Sequence, residues 1–323
     1  MAVKVFSPGL ATTVQDRGRL GYYDVGIPPG GSLDQYCAEL ANALVGNSDG
    51  EALLECTYMG PRLVTDTAVD VAVTGSVQVK VNGQERGAWT RLSLAPGDEL
   101  CFGLITGGAR FYIAFTGGID VPTVLGSRST YPLGVMGGYQ GRKLEAGDTL
   151  PVGVSSGPVP RISEIAERFR PEFGRQQEVR IMLGLYDHRL TGAGLESLTG
   201  AEWTLTPVAD RAGLRYSGPG VEWRKRTQPF GAGSDPSNIV DAGYAVGSIQ
   251  IPGGTQPIVL HRDAVSGGGY AMVATVISAD MDLVARAAPG TVTRFVPVSM
   301  DEALAARRDR AALLRDAIGS LHT

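Results

Sequence analysis

The sequence is poor in the residues that mark several protein classes. Cysteine occurs only as Cys37, Cys56 and Cys101 in 323 residues, with no CxxC pair. An odd, unspaced set argues against a disulfide framework or zinc knuckle and favours a reducing compartment. His188, His261 and His322 stand far apart, so neither a histidine metal site nor a Ser-His-Asp triad is expected. The GxxxxGK[ST] phosphate loop, the HExxH helix and the GxGxxG fingerprint are missing. Charged residues make up 19% and the net charge is −4, which argues against a nucleic-acid-binding face. No segment approaches the ~20 apolar residues of a membrane span. The first residues lack the apolar stretch of a secretory leader. The expectation is a cytoplasmic protein with no nucleic-acid or membrane partner, whose chemistry rests on carboxylates, hydroxyls, arginines and backbone amides.

What the chain has in excess is glycine, at 45 positions with 19 prolines beside them. That is about twice the usual glycine share. Short runs rich in Val, Ile, Leu and Thr lie between these breaks, at 70–81, 99–104, 110–115, 178–183, 248–251 and 257–260. Alternation with a period of two marks them as strands. Ala95-Pro96-Gly97-Asp98, Glu145-Ala146-Gly147-Asp148 and Ala288-Pro289-Gly290-Thr291 read as one recurring turn before a strand. Helices are few. One is expected from Ser32 to Val45 with Ser32 and Gln35 as a capping box, and a short one from Ile162 to Phe169. A terminal helix is expected from Met300 to Leu321, capped by Ser299 and Glu302. The fold class is mainly β, with closed or sandwiched sheets. The linker-like composition of 153–161 places the domain boundary within 155–177. Domains are therefore expected at 1–160 and 178–323, the second carrying the terminal helix.

Four clusters carry candidate chemistry. Gln15 and Asp16 precede Arg17-Gly18-Arg19 and the loop 26–32, a setting for an anion or for a structural Asp–Arg pair. Arg128 lies among hydroxyls in Gly126-Ser127-Arg128-Ser129-Thr130-Tyr131, suited to bidentate binding of carboxylate or phosphate, or to tying loops together. Arg211 and Arg215 share a side on either a helix or a strand, which permits a paired guanidinium site. The densest stretch is 246–278. Gln250 ends a strand there, and Asp263, Ser266, Gly267, Gly268, Gly269 and Tyr270 follow. Successive glycines let backbone amides approach a ligand, so Gly268 and Gly269 are candidate oxyanion donors. Asp263, Ser266 and Tyr270 are candidates for moving a proton or orienting substrate. A plain hairpin loop is the alternative.

These motifs, in this order, resemble the carboxyltransferase subdomain A/B family. It includes allophanate hydrolase subunit 2, the KipA-type C component of 5-oxoprolinase and part of urea carboxylase. The carriers are TTVQDRGRLGY (12–22), GIPPGGSLD (26–34), ECTYMGP (55–61), LGSRSTY (125–131), DRAGLRYSGP (210–219), GSIQIPGGTQPIVL (247–260) and GGYAMVATVISAD (268–280). The resemblance implies two linked β-barrel domains of cyclophilin type with few short helices. It implies a companion of the allophanate hydrolase subunit 1 type, equivalent to the B component of 5-oxoprolinase. It also implies a small amide substrate, with ATP, and biotin on a partner, outside this chain. By resemblance the chain is part of a heteromeric enzyme, either a hydrolase of carbon–nitrogen amide bonds or a biotin-dependent carboxyltransferase. The alternative is a non-catalytic regulatory partner of the companion.

The chain departs from the 5-oxoprolinase pattern, which resembles ADxQTTGGYPKI. Here Met272 stands at the lysine position, and Val265, Ser266 and Gly267 replace the glutamine and paired threonines. The spacing from Asp263 through Ser266 to the glycines is similar to the urea carboxylase form, DGPSLGGF. This shifts weight toward carboxyltransfer. In this reading Asp263, Ser266, Tyr270, Gly268 and Gly269 are catalytic, and Gln15, Asp16, Arg128, Arg211, Arg215 and Gln250 bind substrate.

Overall fold

The computed structural model describes residues 1–155 and 157–323. Ser156, within the segment read as a linker, lies outside the described residues. The chain divides into two compact units, Met1–Leu20 with Gly30–Phe173 and Ala311–Thr323, and Gly21–Pro29 with Gly174–Arg310. Both are mainly β.

The first unit contains β1 (Ala2–Ser7), β2 (Ala11–Gln15), α1 (Gln35–Leu44), β3 (Leu53–Thr57), β4 (Arg62–Thr65), β5 (Val69–Val81), β6 (Gln84–Arg86), β7 (Arg91–Leu94), β8 (Glu99–Phe115) and β9 (Thr149–Pro151). Its strands form one nine-stranded sheet in which β8 is the spine. The two strands expected at 99–104 and 110–115 are one. β5 runs along one edge of β8, while β4 and β3 share the other edge, at Glu99–Cys101 and Arg110–Ile113. Period-two alternation sends Val14, Leu54, Val73, Phe111 and Ile113 into one core. The opposite face sends Leu53, Ala72, Tyr112 and Ala114 against Cys37, Leu40, Ala41 and Leu44 of α1. The sheet is thus buried on both faces here, which removes a clean polar–apolar alternation.

α1 starts at Gln35, three residues later than expected, because Asp34 is the N-cap and accepts from Cys37 N at 3.0 Å. Among the described residues Ser32 Oγ is buried without a hydrogen-bond partner, so the Ser32–Gln35 box does not form. The helix expected over 162–169 shrinks to one 3-10 turn, Glu167–Phe169. Tertiary pairing overrides local propensity: Ile165 N donates to Trp89 O at 2.9 Å and Arg91 N to Ser163 O at 2.7 Å.

The recurring turn is built alike each time. Asp98 Oδ2 accepts from Ala95 N at 2.7 Å, Asp148 Oδ2 from Glu145 N at 2.7 Å, and Thr291 Oγ1 from Ala288 N at 3.2 Å. Gly97, Gly147 and Gly290 take φ of +87°, +95° and +87°, where a Cβ would strain the backbone. Asp148 also receives Arg142 bidentately, at 2.8 Å on each oxygen, and these hydrogen bonds hold its carboxyl below the ordinary range. A carboxyl depressed by folding stabilises the fold above its unfolded pKa, and that contribution is lost as pH falls through the folded value. We expect Asp148→Asn to flatten the acid limb of stability below about pH 4, measured as denaturant midpoints from pH 3 to 7.

The second unit contains β10 (Gln176–Leu183), α2 (Gly192–Gly200), β11 (Trp203–Ala209), β12 (Gly213–Ser217), β13 (Asn238–Gly243), β14 (Ser248–Gln250), β15 (Ile258–Leu260), β16 (Gly267–Tyr270), β17 (Met272–Val276), α3 (Met281–Arg286) and β18 (Val292–Pro297). Seven strands close a barrel in the order β10-β17-β14-β15-β12-β11-β18. Closure is made by β18 running parallel to β10, with Phe295 opposite Val179. The last strand therefore belongs to this unit. Trp203, Tyr216, Ile249, Val259 and Phe295 fill the barrel interior. β13 and β16 form a separate two-stranded arm.

Helix α2 is not legible in GAGLESLTG, with its three glycines. Thr191 caps it by accepting from Gly194 N at 3.0 Å, and a Cβ at Gly194 would lie 2.3 Å from Glu222 O. α4 (Met300–Gly319) begins with the expected box, in which Ser299 N donates to Glu302 Oε2 at 2.7 Å and Glu302 N to Ser299 Oγ at 3.3 Å. Ala303 and Ala306 pack on Ile277. Ala317 and Leu321, at the far end, lie in the α1 core of the first unit.

Candidate functional site

In the first unit, Asp16 follows directly on β2 and organises the loop 127–129. Asp16 Oδ1 accepts from Gly18 N at 2.7 Å, from Ser127 Oγ at 2.7 Å and from the Ser129 hydroxyl. Oδ2 accepts from Arg128 N at 2.5 Å. A carboxylate with this many donors is a loop organiser. The Arg128 guanidinium donates to Val121 O at 2.8 Å and to Asp120 Oδ1 at 2.8 Å, with Glu51 at 3.9 Å. Gln15 is buried at the end of β2, and its Nε2 donates to Thr13 Oγ1 at 2.9 Å and Thr130 O at 3.2 Å. Its Oε1 is a buried acceptor without a partner among the described residues.

Beside it lies a buried network that sequence reasoning did not nominate. Glu55, 1% exposed, points from β3 to the α1 face. Its Oε2 accepts from Leu33 N and Tyr112 Oη, each at 2.8 Å, and Arg110 Nε lies 3.7 Å from Oε1. Burial, with Glu55 and Asp34 beside it, pushes the Tyr112 phenol well up, so it stays a donor. The signal for this network was Glu55 within an otherwise apolar strand, Leu53–Thr57.

In the second unit, the turn after β11 and the segment after β15 meet. Arg211 Nε donates to Asp263 Oδ2 at 2.8 Å and Nη2 to Oδ1 at 3.0 Å, while Asp263 N donates to Arg211 O at 3.0 Å. Asp263 is 4% exposed. Two residues nominated for separate roles thus form one bidentate buried pair. Arg215 sits on β12 and reaches Gln256 Oε1 at 3.4 Å, a different partner from that of Arg211. Gln250 is buried on β14 against Ile258 and Met272.

The neighbouring His261 is fully buried. Its Nδ1 accepts from Arg262 N at 2.9 Å, which leaves Nε2 to carry the proton toward Met281 O at 3.3 Å.

The glycine run is not a loop. Gly267–Tyr270 is β16, paired antiparallel with β13 through Gly243–Gly267, Ala242–Gly268 and Asn238–Tyr270. Tyr244 clasps its end: Tyr244 Oη donates to Tyr270 O at 2.9 Å and accepts from Tyr270 N at 2.8 Å. A Cβ at Gly268 would lie 3.2 Å from the Tyr244 ring, which explains glycine there. Tyr270 is 44% exposed. Among the described residues, neither its phenol nor the Ser266 hydroxyl has a side-chain partner.

The model of the carboxyltransferase domain, subdomain A and B, matches residues 25–297. This chain belongs to that family. It is 35% identical to the urea amidolyase of Lachancea kluyveri over 92% of this chain and 17% of that protein. It is 34% identical to the C component of 5-oxoprolinase from Escherichia coli strain K12, over 99% of each. The crystal structure of the K. lactis urea amidolyase matches 98% of this chain and 20% of that one, at a TM-score of 0.92 and 33% identity. The chain thus spans only about a fifth of the length of the urea amidolyases it matches. The relatives are enzymes or enzyme components.

The lysine-to-Met272 departure is now placed. Met272 is 7% exposed on β17, packed with Tyr244, Leu260 and Ala264, and Ser248 Oγ lies 3.2 Å from its sulfur. An ammonium there would have to leave an apolar cluster.

Proposed function

We propose that this chain is the carboxyltransferase A/B component of a multi-component enzyme that activates the carbon–nitrogen group of a small, urea-like amide. What supports this reading is the TM-score of 0.92 over 98% of the chain to part of a urea amidolyase. The buried Met272 in place of the 5-oxoprolinase-type lysine supports it further. The companion supplies ATP-dependent activation, with biotin on a partner, and this chain binds and orients the amide.

The working face is the β13–β16 arm. Tyr270 and Ser266 offer the phenol and hydroxyl that hold and orient the amide. The Arg211–Asp263 pair acts as a positioning element that fixes the chain leading into Ser266. Asp16 does the same for the loop carrying Arg128. Tyr244 holds the Tyr270 backbone, so the phenol is presented from a fixed strand end.

Coexpression with the companion, followed by substrate-dependent phosphate release from ATP, tests this reading. Release with urea or a related amide, requiring a biotinylated partner, supports carboxyltransfer. Release with 5-oxoproline alone replaces it with the lactam-opening activity. A stable complex that turns over neither makes the chain a regulatory partner. Tyr270→Phe is expected to lower kcat about tenfold or more, with the unfolding midpoint unchanged because the phenol is exposed.

A further inference from the structure

The arginines nominated from sequence as anion holders are largely engaged, Arg128 by Asp120 and Glu51 and Arg211 by Asp263. A different pair in the second unit is not. Arg189 ends a 3-10 turn, Asp187–Arg189, and Arg226 lies in the irregular segment after Trp223. The two segments run antiparallel: Leu190 bridges Trp223, Arg224 N donates to Arg189 O at 2.8 Å, and Thr191 N to Glu222 O at 3.0 Å.

The Arg189 guanidinium stacks over the Tyr186 ring, 4.3 Å from its centroid, and Nη1 reaches Asn238 O at 3.5 Å. The ring face attracts the guanidinium and, with the Asn238 carbonyl, steadies it. Among the described residues neither Arg189 nor Arg226 makes an ion pair. Glu222 accepts from Thr191 Oγ1 at 2.9 Å and Asp235 from Ser237 N at 2.8 Å and Ser237 Oγ at 2.6 Å, and Asp187, in the same turn as Arg189, makes no ion pair among the described residues. Burial, then the charge of Arg226, lowers the Arg189 pKa, against a smaller opposing effect of Tyr186. Arg226 comes two residues after Arg224, whose amide bonds Arg189 O, so the backbone pairing brings the two arginines to the same stretch, and like charges brought close are unfavourable until an anion joins them.

We propose that Arg189 and Arg226, with Tyr186 as the floor, form a receptor for an oxyanion with two adjacent oxygens, a carboxylate or a phosphoryl group. Arg189 provides the fixed planar fork and Arg226 the second charge. The site deepens the functional reading above and rests on it for its place in turnover, as the position taken by the anionic group of the activated co-substrate. Binding itself is independent of turnover.

The test is the thermal unfolding midpoint of the full chain in sodium acetate, sodium phosphate and sodium chloride at equal ionic strength. Acetate or phosphate is expected to raise the midpoint beyond chloride. The concentration needed should increase about tenfold in Arg226→Gln, which removes a charge. A similar increase is expected in Arg189→Lys, which keeps the charge and loses the fork. In chloride both variants should melt close to the parent, because neither guanidinium carries an ion pair. A response to acetate alone assigns a carboxylate ligand, and one to phosphate alone a phosphoryl ligand. No response beyond chloride in the parent overturns the site, as does an equal response in parent and both variants. If the anion response appears and the reconstituted complex turns over neither amide, the functional reading fails and the receptor stands.

Discussion

Replacing Arg211 with methionine is expected to destabilise the second unit by about 3–5 kcal/mol, the usual effect of removing one partner of a buried ion pair. Asp263 would keep both carboxylate oxygens in a place that is 4% exposed, with the Arg211 fork gone. Denaturant unfolding followed by tryptophan fluorescence measures this, since Trp203 and Trp223 both lie in this unit's core. The double variant Arg211→Met/Asp263→Leu should recover a large part of the loss, because two apolar side chains need no compensating charge. If Arg211→Met unfolds like the parent and only turnover falls, Arg211 touches substrate and the positioning role assigned to it is wrong.

Glu55→Ala should have an effect of similar size on the first unit, about 3–5 kcal/mol. The substitution strips Leu33 N and Tyr112 Oη of their acceptor and leaves Arg110 beside a cavity. Buried donors without acceptors are costly in themselves. Glu55→Gln keeps the volume and one acceptor oxygen and should lose less. Hydrogen exchange gives a local readout: the Leu33 amide, bonded directly to Glu55, should exchange faster in Glu55→Ala. Unchanged protection there would mean the network does not hold the entry to α1.

How much of this was legible in the sequence depended on how local the cause was. The strand expected at 70–81, found at 69–81, and the recurring turns follow from alternation and from one glycine with positive φ. The terminal helix was read from Ser299 and Glu302, because a capping box lies within four residues. α2 was missed because its glycines lower helix propensity, and the one at Gly194 is set by Glu222 O, which is distant in sequence. The 162–169 helix was overcalled because Trp89 and Arg91 pair with that segment in extended form. Gly267–Gly269 carried the right composition for a ligand-approaching loop, yet β13 draws the run into a strand.

The candidate residues divide in the same way. The sequence located Asp16, Arg128, Arg211, Asp263 and Tyr270 as chemically notable, since charged and phenolic side chains within glycine-rich segments stand out. It could not say that Arg211 belongs to Asp263, because 52 residues separate them and only the barrel brings the β11–β12 turn to the end of β15. Nor could it rank Arg189 and Arg226 above the other arginines. Whether a guanidinium is paired depends on which carboxylates the fold carries to it.

The chain's sequence alone determined the β class, the turn chemistry, the lack of paired cysteines and histidines, and the family. Each of these is written in residue type and short spacing, where local sterics and hydrogen bonding act. Tertiary structure decided which barrel the last strand closes, which charges neutralise one another and which, among the described residues, make no ion pair. Those outcomes depend on pairings across tens of residues, where the interaction energy exists only once the chain has folded.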